Sequence, residues 1–200
     1  MKEISINGTA RVAGGKKAAK ALRAEGMIPC VIYGEQKNEQ GLPVAFDFAV
    51  SERELNKLIY TPNIYLVNLT IDGKTCKAVV KDAQFHPVRD NVLHVDFYEV
   101  SENKPIVMAV PVQTEGLAEG VRAGGRLALM LRKLKVRATY ANIPEKLIVK
   151  VEHLGLGKSV KAGDLSFDGL EIVTPKEVIV CTIKMTRAAA AAAAAAKKEG

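Results

Sequence analysis

The alternation of apolar and polar positions predicts that most of this chain is β-strand. Short runs in which every second residue is apolar, separated by Gly, Pro and Asp, are typical of strands that bury one face. The first half has such runs at 2–12, 28–34, 44–48, 64–71, 74–85 and 91–100. The second half has them at 106–113, 127–139, 146–152 and 177–184. The fold class is therefore expected to be mainly β.

Two details of the pattern predict local geometry. Asp72-Gly73 stands between two predicted strands, and this dipeptide favours the type I′ turn of a tight hairpin. Along 127–139 the apolar residues lie at odd numbers up to Leu131 and at even numbers from Leu134. Because side chains of a strand alternate with a period of two, this change of phase predicts a bulge or break near Arg132.

Two short helices interrupt the strands. Residues 16–25 are rich in Ala, Lys and Leu and are followed by Gly26 and Pro29, which are typical of a helix end. Residues 51–60 begin with Ser51 and Glu54 at the spacing of a capping box.

The polar segment 101–105, which ends in proline, indicates a connector between two mainly β domains. We expect these domains at 1–98 and 99–185. The remaining residues, 186–200, include nine consecutive alanines and are expected to form a frayed or flexible tail.

Composition narrows the choice of partner. The chain has 29 Lys and Arg against 22 Asp and Glu, a net charge of +7, which favours a polyanionic partner such as nucleic acid or an anionic membrane surface. No apolar run is long enough to span a bilayer and the start lacks a signal-peptide pattern, so we expect a cytoplasmic protein with no membrane partner. Three widely spaced cysteines predict neither a disulfide framework nor a metal site.

The sequence offers little support for an enzyme. Gly155-Leu-Gly-Lys-Ser159 is similar to a phosphate loop, but Glu152 occupies the position of the first glycine, so a glycine-rich β connection is expected instead. The three histidines are scattered, and no nucleophile, base and orienting group come together in the sequence. We therefore expect no cofactor and no small-molecule substrate.

Two features point to RNA. On the first helix, Lys16, Lys20 and Arg23 share one face and would form a cationic ridge, while Ala18 and Leu22 can pack inward. An ordinary solvated helix face would show the same pattern.

The second feature is the strand Leu93-His-Val-Asp-Phe-Tyr98. Leu93, Val95 and Phe97 can fill a core, and His94, Asp96 and Tyr98 then point outward together. Phosphate repels a carboxylate, so Asp96 suits a ribose 2′-hydroxyl or a base amino group. The alternative is a solvated surface with a local His–Asp pair.

A third basic stretch contains six cations and no acid between Glu119 and Glu145. Lys133, Lys135 and Arg137 alternate onto one strand face there, as a second RNA or protein contact or as a merely solvated surface.

These motifs resemble a known family. GGKKAAKALRAEGMIPCVIYG at 14–34 and LHVDF at 93–97 are similar to the N-terminal domain of the bacterial L-twenty-five family of large-subunit ribosomal proteins. GVRAGGRL at 120–127, Ile143-Pro-Glu145 and Ala162-Gly-Asp-Leu165 resemble the C-terminal domain of its long form, the Ctc or general stress protein type.

The resemblance implies an N-terminal β-barrel that binds the loop E region of 5S ribosomal RNA in the central protuberance, and a β-rich C-terminal domain. The sequence leaves open whether the C-terminal domain contacts RNA, neighbouring ribosomal proteins or neither. The RNA contacts that it implies are Arg11, Lys16, Lys20, Arg23, Tyr33, His94 and Asp96. Two features depart from the family: Ala19 and Ala21 replace polar or basic residues of some members, and the tail is not acidic.

Two other functions remain open at the level of sequence. One is a stress-induced protein-interaction factor whose RNA binding is incidental. The other is a tRNA-binding barrel like the anticodon-binding domain of a glutaminyl-tRNA synthetase, although no nucleotide-binding catalytic half accompanies it here.

Overall fold

The computed structural model describes residues 1–12, 14–34, 44–102 and 104–186. The chain divides into two compact units. Unit 1 comprises Met1–Ile106 with Thr139–Ala141, and unit 2 comprises Val107–Ala138 with the residues from Asn142 onward. Apart from Thr186, the predicted tail lies outside the described residues. Both units are mainly β, which confirms the predicted fold class.

Unit 1 is a closed barrel of six strands in the order β1-β3-β2-β6-β5-β4. β1 pairs in parallel with β4 and β2 in parallel with β6, and the other neighbours are antiparallel. Its elements are β1 (Lys2–Ala10), α1 (Lys16–Ala24), β2 (Met27–Tyr33), β3 (Phe46–Ser51), α2 (Glu52–Ile59), β4 (Tyr65–Ile71), β5 (Lys74–Phe85) and β6 (Val92–Glu99). The β-barrel implied by the family resemblance is thus confirmed.

The barrel is filled by the inward side chains that the alternation predicts. The rings of Phe48 and Phe97 lie at its centre with their centroids 5.7 Å apart. Between β4 and β5, Asp72 and Gly73 both have positive φ, 46° and 85°, as a type I′ turn requires. The predicted hairpin is therefore present.

The capping box predicted at the start of α2 does not form. Ser51 is the N-cap residue, but its side chain makes no capping hydrogen bond. It is also the last residue of β3, paired with Met27, so the sheet fixes its position. The amide of Glu52 donates instead to the Gly26 carbonyl at 2.9 Å.

Two register shifts mark the β5–β6 pair. Val80 faces Phe97 while Asp82 faces Asp96, and Gln84 faces His94 while Phe85 faces Val92. The second shift leaves Leu93 without a partner in β5. Consequently Val92 is buried and Leu93 only half-buried, which corrects the expectation that Leu93 fills the core.

Unit 2 contains two sheets, in the orders β10-β7-β9-β12 and β11-β13-β8. Its elements are β7 (Ile106–Glu115), α3 (Glu119–Arg122), β8 (Arg126–Leu129), β9 (Lys133–Ala138), β10 (Leu147–Lys150), β11 (Ser159–Lys161), a 3-10 turn (Ala162–Asp164), β12 (Glu171–Ile172) and β13 (Ile179–Lys184). The predicted break near Arg132 is confirmed, because the chain leaves one sheet after Leu129 and enters the other at Lys133.

The run Gly155-Leu-Gly-Lys-Ser159 connects β10 to β11, as the sequence predicts, and Ser159 begins a strand rather than a helix. This connection packs tightly against α3. A Cβ on Gly120 would lie 2.7 Å from the carbonyl carbon of Gly155, so only glycine fits there. Gly120 therefore allows the backbone of α3 to pack closely against this connection.

Candidate nucleic-acid interface

A row of side chains, three of them carboxylates, crosses the outer face of the barrel. In register across β3, β2, β6 and β5 stand Asp47, Val31, Asp96 and Asp82. Their strand neighbours Phe48, Cys30, Val95 and Phe97 are buried inside the barrel. Because successive side chains point to opposite faces, this row and the residues two positions away point outward. We call the surface of these four residues with Tyr33, His94 and Tyr98 the outer face.

His94 and Asp96 lie side by side on the outer face. Nδ1 of His94 is 2.8 Å from Oδ1 of Asp96, and both side chains are partly buried, at 24% and 30% exposure. Nδ1 of His94 is buried and makes no hydrogen bond of acceptable geometry with a described residue, so the contact with Asp96 is a close polar approach. The contact uses Nδ1 and Oδ1, which leaves Nε2 of His94 and Oδ2 of Asp96 as the groups that can meet a partner.

Tyr33 and Tyr98 extend the outer face on neighbouring strands. They stand in register between β2 and β6, with ring centroids 6.0 Å apart in an edge-to-face arrangement. Burial, followed by the negative charges of Asp96 and Asp82, raises the pKa of the Tyr33 phenol above its ordinary value. The hydroxyl therefore remains protonated and can donate a hydrogen bond at any physiological pH.

Arg11 lies at the border of the outer face, where Asp47 balances its positive charge. Its Nη2 is 3.0 Å from Oδ1 of Asp47, and its backbone amide donates to the Asp47 carbonyl at 3.1 Å. Nε is buried and has no hydrogen-bond partner among the described residues. The ion pair holds the guanidinium in place, so Arg11 is an oriented group rather than a free positive charge.

Helix α1 presents fewer free cations than the sequence suggests. Lys16 and Lys20 are exposed, but Arg23 is half-buried and its Nε donates to the Leu93 carbonyl at 3.0 Å. Ala18, expected to pack inward, is exposed, and the inward side is formed by Ala19, Leu22 and Arg23. These three follow the i, i+3, i+4 spacing of one helix face. The cationic ridge thus consists of Lys16 and Lys20, and Arg23 fastens it to the barrel.

The structure brings the predicted residues to one region of unit 1. The Arg23 bond attaches α1 to Leu93, the residue directly before His94. Sequence reasoning missed Asp47 and Asp82, which lie beside Arg11 and Asp96 respectively. Asp82 could not be found because the bulge at Lys81 changes the phase of β5.

Two other kinds of site receive no support from the described residues. No helix among them is long and apolar enough to cross a membrane. No group of three or more His, Cys, Asp or Glu in this part of the chain could hold a metal ion.

Comparison with known proteins finds a matching family for each unit. Residues 6–97 match the Ribosomal L25p family, and residues 105–187 match the family "Ribosomal protein TL5, C-terminal domain". The chain is 61% identical over 189 residues to the large ribosomal subunit protein bL25 of Phocaeicola vulgatus, covering 94% of this chain and 96% of that protein. The protein of the same name from Bacteroides thetaiotaomicron is 56% identical over 194 residues, with 94% and 95% covered. That from Porphyromonas gingivalis is 49% identical over 190 residues, with 94% and 96% covered. The resemblance seen in the sequence is confirmed in both halves.

Proposed function

This chain belongs to the Ribosomal L25p family, in the form that carries a TL5 C-terminal domain, and from that membership we propose that it is a structural protein of the large ribosomal subunit that binds 5S ribosomal RNA. The binding surface comprises Tyr33, His94, Asp96 and Tyr98 of the outer face of unit 1, together with Arg11 and helix α1. The RNA segment is the loop E region, within the central protuberance. The role is architectural and requires no catalytic group.

Positioning on the RNA comes from cations that are held on the folded surface. Lys16 and Lys20 are exposed on α1, and the Arg23 bond to Leu93 limits how far that helix can move. Contacts of this kind to phosphates set orientation and affinity but carry no sequence information.

Recognition of a particular RNA comes from the outer face, and the observation that carries the proposal is that Asp96 and Tyr98 on β6 are partly exposed beside Tyr33, which pairs with Tyr98 from β2. A carboxylate held 2.8 Å from an imidazole beside a cationic helix would weaken a surface that binds phosphates alone. The same carboxylate can accept from a ribose 2′-hydroxyl or a guanine amino group in a shallow minor groove. Tyr33 and Tyr98 add a hydrogen-bond donor and aromatic edges nearby.

The test is the affinity of the full chain for 5S ribosomal RNA and for an unrelated RNA duplex across a range of salt concentrations. If about three to five phosphates are neutralised, log K falls against log salt with a slope of roughly −2 to −4. We expect 5S RNA to bind more tightly at every salt concentration. Equal affinity for both RNAs, or a response independent of salt, would overturn the proposal.

Association with ribosomes separates this function from that of a protein-interaction factor with incidental RNA binding. We expect the chain to co-sediment with large subunits after a high-salt wash, because specific contacts persist when phosphate contacts are weakened. Complete release into the supernatant would favour the interaction factor.

A further inference from the structure

We propose that unit 2 carries a second RNA-binding surface, formed by Lys133 and Lys135 on β9, which holds the phosphate backbone of an RNA duplex. This goes beyond the function proposed above, which concerns the outer face and α1 of unit 1 only. Three properties of β9 and its neighbours support it: the direction of the lysine side chains, the local charge and the kind of residues that surround them.

The direction of the two lysines is fixed by the strand. Lys133, Lys135 and Arg137 are exposed, while Leu134 and Val136 between them are completely buried. β9 is an inner strand, held between β7 and β12. Side chains two residues apart on such a strand are separated by about 6.8 Å and leave the same face of the sheet. The cations therefore project together from one face of the sheet.

The charge on this surface is not balanced at the lysines. Arg137 stands opposite Glu171 in the β12–β9 register, with Nη1 and Oε2 3.4 Å apart. At the other edge, Lys150 stands opposite Glu115. No ion pair of Lys133 or Lys135 occurs among the described residues. The excess positive charge is therefore concentrated at these two positions, next to exposed Arg132.

The surrounding residues favour RNA over an acidic protein. Protein interfaces are enriched in aromatic residues and Met and depleted in Lys. The exposed residues of neighbouring β7 include Ala109 and Gln113, and Ile148 is the large apolar side chain exposed on β10. Aromatic side chains, which would stack on unpaired bases, do not occur on β7, β9, β10 or β12. Two outward lysines on a sheet without aromatic side chains suit the backbone of a duplex, which offers phosphates and hides its bases.

The experiment is lysine acetylation of the full chain, read by mass spectrometry, with and without an RNA duplex of sequence unrelated to 5S RNA. We expect the duplex to protect Lys133 and Lys135, and protection to fade as salt rises. Lys158 and Lys161, exposed beside the other sheet of the same unit, serve as internal controls and should react equally in both samples. Equal protection of all four lysines would indicate diffuse charge attraction and overturn the proposal.

The same footprint separates the two proposals. Protection of Lys16 and Lys20 without Lys133 and Lys135 would leave the unit 1 surface standing and overturn this one. Protection of Lys133 and Lys135 alone would support this surface and remove unit 1 as a general phosphate binder. Polyglutamate is the third probe: if it protects Lys133 and Lys135 at lower concentration than the duplex does, the surface is an acidic-protein site and the RNA proposal is wrong.

Variants provide an independent measurement. The background variant carries Lys16→Ala and Lys20→Ala, which remove the unit 1 contacts. Adding Lys133→Ala and Lys135→Ala to it should make the salt slope for duplex binding about 1.4 to 1.8 units less steep, because each phosphate contact contributes roughly 0.7 to 0.9. The matched control, Lys158→Ala with Lys161→Ala, removes the same charge and should leave the slope unchanged. Lys133→Arg with Lys135→Arg should restore it. Equal slopes for the test and control pairs would overturn the proposal.

Discussion

Arg23 on helix α1 donates a 3.0 Å hydrogen bond from Nε to the backbone carbonyl of Leu93, the residue of β6 that the β5–β6 register skips. The bulge at Leu93 and its hydrogen bond to Arg23 are related. A bulged residue has no ladder partner on one side, and a buried or half-buried carbonyl needs a donor. Arg23 supplies it from a helix 70 residues earlier in the chain. The bulge therefore determines where α1 is attached, directly beside His94.

We predict that Arg23→Lys weakens binding to 5S RNA even though it preserves the charge. Lysine has no Nε–H in the guanidinium geometry, so the bond to Leu93 is lost and α1 is held less firmly. Affinity should fall about three- to tenfold while the salt slope stays unchanged, and amides of α1 should exchange faster with solvent.

The control for Arg23 is Lys20→Ala, which removes an exposed charge from the same helix. That variant should reduce the salt slope without changing hydrogen exchange in α1. If Arg23→Lys binds 5S RNA like the wild type, Arg23 acts as a charge and the anchoring role is wrong.

The strands predicted from alternating apolar and polar residues are present. This pattern arises when one face of a strand is buried, as it is in each of these strands. The pattern could not place Asp82 beside Asp96, because the extra residue at Lys81 is set by pairing across the barrel and leaves no local signal. It also missed β11 and β12, three and two residues long, which are too short to show a period. In the candidate site, helix spacing predicted that Arg23 lies on the exposed face with Lys16 and Lys20. Arg23 instead faces the barrel, because the Leu93 carbonyl there accepts its hydrogen bond.

The boundary at residue 98 of the RNA-binding domain stays a prediction. We expect a fragment ending at Ile106 to bind 5S RNA with nearly the affinity of the full chain. Val100 is buried and its amide donates to the Lys77 carbonyl at 2.9 Å. A fragment ending at residue 98, the boundary expected from the sequence, lacks this contact and should melt several degrees lower. Thermal unfolding and RNA titration of both fragments check this. A requirement for unit 2 in 5S binding would contradict it.

Stability at alkaline pH should depend on Cys30. Burial is the largest influence on this thiol and raises its pKa to about 12, against a smaller opposing effect of Arg11. An unfolded cysteine ionises near pH 8.5, so above that pH the unfolded state releases a proton that the folded state retains. The stabilisation is fully present below about pH 8.5 and is lost as pH rises towards 12, by roughly 1.4 kcal/mol per pH unit.

Urea unfolding followed by circular dichroism at pH 7, 9 and 10 tests this dependence. Cys30→Ala should be less stable at pH 7 because of the small cavity, but its stability should decline less steeply between pH 9 and 10 than that of the wild type. Cys76→Ala, a change at a half-exposed thiol, is the comparison. Parallel declines for Cys30→Ala and the wild type would show that the buried thiol does not contribute.

Asp96 and Asp82 allow recognition to be separated from charge, because they face each other in register on neighbouring strands. Asp96→Ala and Asp82→Ala remove one negative charge each from the same surface, so a purely electrostatic binder would gain slightly and equally from both. If Asp96 accepts a hydrogen bond from a guanine amino group, Asp96→Ala should lose about 1–3 kcal/mol, or roughly 5- to 150-fold, for 5S RNA only. Its salt slope should not change, whereas Lys20→Ala should weaken cognate and unrelated RNA alike and reduce the slope by nearly one unit.

The deciding quantity is the ratio of cognate to unrelated affinity at fixed salt. It should fall for Asp96→Ala and for His94→Ala, whose ring lies 2.8 Å from the carboxylate, and remain constant for Asp82→Ala and Lys20→Ala. This pattern follows because groups that meet base edges distinguish one RNA from another, while contacts to phosphate and sugar are common to all. A constant ratio for Asp96→Ala would mean that the outer face is ordinary solvated surface and that recognition lies elsewhere on unit 1.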